Sequence, residues 1–173
     1  MKWIVAVIGT LALLVAGVYA VGLSLPQNHV AVRTARSAQP PETVWAAITD
    51  VASFPAWRSA LDSVEQLPPR NGIMVWREIS GNEGTTYEAE ESERPSRLVT
   101  RITDRGLPFG GSWEIRITPD GTGSRISITE NGEVYNPVFR FVSRFVIGHS
   151  ATIDKYLSDL AVKLGDAAVS ASG

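Results

Sequence analysis

The chain has 173 residues, with 16 Lys and Arg against 18 Asp and Glu, for a formal net charge of −2. That balance, without any Lys/Arg-rich run, gives no footing to a nucleic-acid partner. The absence of cysteine excludes a disulfide framework, a thiolate metal site and a cysteine nucleophile, and the two histidines, His29 and His149, stand far apart. No H-x-x-x-H, calcium-loop or Walker-type pattern occurs, so neither a metal nor a cofactor is expected.

Residues 1–25 form the first unit. After Lys2 the chain is uncharged from Trp3 to Leu25 and then meets Pro26. Twenty-three helical residues reach about 34 Å, enough for a hydrocarbon core of about 30 Å. The run reads as a single-pass membrane anchor, with Trp3 and Tyr19 suited to the interfaces. A cleaved signal peptide is the alternative, because Val18-Tyr19-Ala20 has the small-residue character of a cleavage site. Both readings put the remaining domain on the exported side. Lys2 and the amino terminus nearly balance Arg33 and Arg36, so flanking charge decides little about orientation.

Residues 26–29 read as a linker, residues 30–166 as one domain and residues 167–173 as a disordered tail. Val30, Val32 and Thr34 alternate with Ala31, Arg33 and Ala35 in a first strand. A helix entered through Pro40-Pro41 follows, with Val44, Ala47 and Ile48 as its buried stripe. A second short helix covers about Val51 to Ala56. Six strands are then expected near 61–67, 73–80, 85–93, 97–104, 109–118 and 124–132. Turn signals such as Asn71-Gly72 and Pro119-Asp120-Gly121 separate them. Short turns between consecutive strands predict an antiparallel meander.

The last element is a long helix from Asn136 to about Leu164. Pro137 suits its first turn and Gly165 its stop. Val138, Phe141, Val142, Phe145, Val146, Ile153, Tyr156, Leu157, Leu160 and Leu164 recur at steps of three and four, which predicts one apolar face gripping the sheet. Arg140 and Arg144 fall on the opposite, solvated face.

Pro40-Pro41-Glu42-Thr43-Val44-Trp45, Asp50-Val51-Ala52-Ser53-Phe54-Pro55-Ala56-Trp57 and Thr129-Glu130-Asn131-Gly132-Glu133 leading into Asn136-Pro137 resemble the SRPBCC or polyketide cyclase/dehydrase group of the START-like helix-grip superfamily. The resemblance spans about residues 28 to 166. It implies an α+β helix-grip fold, with a curved antiparallel sheet of about seven strands wrapped around the C-terminal helix. It also implies an apolar cavity between the two, suited to lipids or other hydrophobic small molecules. Such a scaffold does not fix an activity.

Strand periodicity sorts the inner face. Leu98, Thr100 and Ile102 align, as do Thr85, Tyr87 and Ala89. Trp113, Ile115 and Ile117 share one face, and Ile126, Ile128 and Glu130 another. The mixture fits a ligand pocket and also an ordinary core. Tyr87, Ile102, Phe109, Trp113, Ile115, Ile128, Glu130, Val142, Phe145 and His149 are the candidate ligand-binding residues. Glu130 and His149 are also candidate acid–base groups, with strand-end and core placement as their plain alternatives. Trp45 and Trp57 read as structural, and Arg58 and Arg101 as solvated. Glu78, Glu83, Glu88, Glu90, Glu91 and Glu93 read as a solvated acidic face, and Leu107-Pro108-Phe109-Gly110-Gly111 as a hairpin turn or lid.

The leading expectation is a membrane-anchored binding module for a hydrophobic small molecule or lipid. A cyclase/dehydrase- or hydrolase-like enzyme using Glu130 and His149 is the first alternative, and an envelope protein-interaction module the second.

Overall fold

The computed structural model describes residues 2–166, so the tail assigned to 167–173 lies outside the described residues. In chain order the elements are α1 (Lys2–Ser24), β1 (Asn28–Ser37), α2 (Pro41–Thr49), a 3₁₀ helix (Val51–Ala56), β2 (Ser63–Arg70), β3 (Ile73–Ser80), β4 (Glu83–Glu93), β5 (Arg97–Ile102), β6 (Phe109–Asp120), β7 (Gly123–Val134), α3 (Pro137–Val142), a π-helical turn (Ser143–Ile147) and α4 (Ala151–Leu164). The strands form one antiparallel seven-stranded sheet in the order β1-β7-β6-β5-β4-β3-β2. Strands β2 to β7 are a meander, and β1 closes the far side against β7. Register shifts between Leu67 and Arg70 and between Ala89 and Glu91 interrupt the ladders. Such bulges bend a sheet.

The sheet's concave face carries the core. Ile115, Ile117, Ile126 and Ile128 meet Ile153, Leu157 and Leu160 of α4, while Val44 and Ile48 of α2 close one end. The α4 stripe falls where its spacing predicts, and Gly165 in a left-handed conformation ends the helix. β1 begins at Asn28, inside the expected linker, and turns its small residues inward. Ala31 and Ala35 are buried whereas Val30 and Val32 are exposed. The helix explains this inversion: Arg33 Nε donates to Asp154 Oδ1 at 2.9 Å, drawing α4 so close to the edge strand that alanines fill the gap.

The long helix is not continuous. Asn136 caps α3 by accepting from Val138 N–H and Phe139 N–H. After Val142 the backbone widens, Gly148 N–H donates to Ser143 O at 3.0 Å, and Gly148 itself sits at φ +84°. That conformation is outside the helical range and is natural only for glycine, so the chain turns there and restarts at Ala151. The expected apolar face therefore breaks. Phe145 and Val146 stand exposed instead of gripping the sheet. Arg140 is a second correction: it is buried, with its guanidinium donating to the carbonyls of Val134 and Tyr135.

Candidate functional site

Between sheet and α4 lies a cavity of about 470 Å³. Its walls come from the inner faces of β4, β5 and β6, from Ile48 and Phe54 beneath, from Tyr156 of α4, and from Phe139, Ile147 and Gly148 at the helix break. Most of this lining is apolar, and the volume is in the range of small-molecule pockets.

Two polar clusters interrupt it. The first lies beside the 3₁₀ helix, where Arg58 forms an ion pair with Glu78 and Trp76 Nε1–H donates to the same Glu78 oxygen at 3.1 Å. The Arg58 guanidinium also stacks over the rings of Phe54 and Tyr156. Burial opposes its charge, but Glu78 more than offsets this and holds its pKa above the ordinary value. Burial likewise pushes the phenols of Tyr87 and Tyr156 up, so both stay protonated and neutral. Glu78 and Arg58 are therefore not solvated, contrary to the sequence expectation.

The second cluster lies by the helix break. Glu130 accepts from Trp113 Nε1–H at 2.9 Å and pairs with His29 Nε2 at 3.2 Å. A carboxylate only accepts, so this contact is a hydrogen bond in the tautomer of His29 that carries a proton on Nε2. The His29 and His149 rings stack with centroids 4.0 Å apart. Gly132 makes room for this arrangement, since a Cβ there would stand 2.2 Å from His29 Cε1. Burial, followed by the neighbouring His29 and Arg144 charges, lowers the pKa of His149 and favours its neutral form. Nδ1 of His149 is buried and has no partner among the described residues. The cluster thus joins a fixed carboxylate to an imidazole with unused hydrogen-bonding capacity.

Of the residues selected from sequence, Tyr87, Ile102, Phe109, Trp113, Ile115, Glu130 and His149 line this cavity. Ile128 is fully buried in the core behind it. Val142, the last residue of α3, and Phe145, exposed in the π-helical turn, do not line it. His29, Trp76, Glu78 and Tyr156 line it without having been selected for it. Period-two alternation through Ala31 and Ala35 carries a signal for His29, placing it on β1's inner face. Nothing local marks Glu78, whose partner Arg58 comes from another element.

A family model described as "Polyketide cyclase / dehydrase and lipid transport" matches residues 29–164. No curated protein gives a match. Among solved structures, a START superfamily protein from Mycobacterium smegmatis superposes with a TM-score of 0.65 at 15% identity, over 79% of this chain and 97% of that one. The Zhui aromatase/cyclase from Streptomyces sp. R1128 gives 0.62 at 16% identity, over 80% and 94%. A protein from Thermobifida fusca gives 0.61 at 16% identity, over 79% and 93%. At these identities the superpositions establish a shared fold.

Proposed function

The chain belongs to the polyketide cyclase / dehydrase and lipid transport family, and on that premise we propose that it is a membrane-anchored binding module for a hydrophobic small molecule or lipid. The cavity carries this reading: about 470 Å³ of mostly apolar space, with a polar cluster at the helix break that retains hydrogen-bonding capacity. The apolar body of a ligand fits against Ile102, Trp113 and Ile115, and its polar end against Glu130 and His149. α1 is long and apolar enough to span a bilayer and is exposed along nearly its whole length, which supports the anchor. In this reading the domain lies on the exported side.

Trp76 and Trp113 line the cavity and serve as built-in donors for energy transfer. The full chain in lipid nanodiscs is titrated with a fluorescent fatty acid or sterol whose absorption overlaps tryptophan emission. Saturable transfer, displaced by unlabelled ligand and weakened by Trp113→Phe, is the expected result. Transfer that rises linearly and resists displacement contradicts the proposal.

The His29–Glu130 pair favours a second reading, a cyclase/dehydrase- or hydrolase-like enzyme. A carboxylate orienting an imidazole over an apolar cavity is suited to moving a proton on a bound molecule. Recovery of a chemically altered ligand, lost in His29→Gln, separates this reading from simple binding.

A further inference from the structure

The segment between β7 and α4 leaves large apolar side chains uncovered. Phe145, Val146 and Ile147 are 59%, 71% and 60% exposed, and Phe139 of α3 is 50% exposed. A contiguous patch of this kind marks an interaction surface.

Three features identify what covers it. The first is its attachment to α1. Gly22 meets α3 so closely that a Cβ would stand 1.9 Å from Pro137 O. The buried guanidinium of Arg140 then donates from Nη1 to Gly22 O and Leu25 O, each at 3.2 Å. These contacts hold α3 level with the last turns of α1. A helix of about 34 Å fills a hydrocarbon core of about 30 Å, so those turns reach the interface and α3 reaches it with them.

The second feature is charge. Arg144 is exposed within the patch, and exposed Arg105 lies in the neighbouring loop, whose Pro108 O accepts from Tyr135 N–H at 2.9 Å. Apolar side chains flanked by arginines match acyl chains beneath phosphates. The third feature is continuity with the cavity: Phe139 and Ile147 belong both to the patch and to the cavity wall.

From these we infer that α3 and the 143–147 turn sit in the interface of the bilayer that α1 spans, and that the cavity opens onto lipid, taking its occupant directly from that leaflet. The inference rests on the anchor reading of α1.

Because the chain has no cysteine, single substitutions carry one environment-sensitive fluorophore each. Leu11→Cys reports on α1, Val146→Cys on the patch, and Val162→Cys on the exposed side of α4 as a control. The full chain is reconstituted in phosphatidylcholine–phosphatidylglycerol vesicles containing doxyl lipids. Deep doxyl groups are expected to quench the Leu11 label and shallow ones the Val146 label, with only the Val162 label open to iodide. A Val146 label as open to iodide as the control, while the Leu11 label stays quenched, overturns the inference and leaves the anchor standing. A Leu11 label open to iodide removes both. The double variant Phe145→Asp, Val146→Asp is expected to melt like the parent yet load a fluorescent lipid from vesicles about tenfold more slowly, because charge is expelled from the interface. Unchanged loading overturns entry from the bilayer.

Discussion

The two polar clusters share one cavity and differ in what each leaves unpaired. Around Arg58, the guanidinium and the Trp76 indole both donate to Glu78 Oε1, and the rings of Phe54 and Tyr156 lie against the guanidinium. The adjoining Trp57 indole N–H is buried without a partner among the described residues. Around Glu130, the carboxylate is occupied by Trp113 and His29, but the stacked His149 keeps an unpartnered nitrogen. The Arg58–Glu78 pair holds the fold, because removing one partner strands a buried charge. The His149 nitrogen belongs to a cavity-lining residue, so a polar group reaching it gains a hydrogen bond rather than displacing one.

The sharpest way to break this contrast is Arg58→Met, which leaves Glu78 charged and unpaired in a site where its side chain is 7% exposed. A loss of about 3–5 kcal/mol in denaturant unfolding is expected, with Arg58→Met, Glu78→Leu together restoring most of it. A near-neutral single variant would show that the pair is not structural. Glu130→Gln should act in the opposite sense, weakening ligand binding by about 1–3 kcal/mol in displacement titrations while changing unfolding far less. Equal losses of stability in the two variants would erase the distinction.

Acid pH sharpens the same contrast. The lowered pKa of His149 means that the unfolded imidazole, with its ordinary value of 6.5, takes up its proton before the folded one. The folded state then binds fewer protons, so this contribution is complete above about pH 6.5 and fades as pH falls towards the folded value. His29 stacks on this ring, Glu130 pairs with His29 and Arg144 lies nearby, so the comparison is made with His149→Gln in the same background. The parent should lose more melting temperature than His149→Gln between pH 7.5 and 5.5; parallel losses would remove the effect. The smallest effect belongs to Phe145→Asp, expected within about 0.5 kcal/mol of the parent because its side chain is exposed. A large loss would restore the continuous apolar face that the helix break denies.

The sheet was legible because alternation and turn chemistry act locally. β3 and the 3₁₀ helix fall where their residues predict, as does α4's stripe from Ile153 to Leu164. The helix break was hidden because steps of three and four run from Val138 through Val146 and resume at Ile153. Only Gly148-His149-Ser150, lacking a core-facing apolar residue, marks the interruption. Burial of Arg140, Arg58 and Glu78 was equally hidden, since water is the default partner of a charge and their actual partners are set by the fold. Glu130 and His149 were readable singly, but His29 lies 101 residues from Glu130 and joins it only when β1 pairs with β7.

Native mass spectrometry of the full chain, released from its own membrane, tests the binding reading most directly. The account predicts one intact apolar molecule with a polar end per chain, retained in the parent and depleted in Glu130→Gln. A chain that flies empty under conditions that preserve its fold would contradict it.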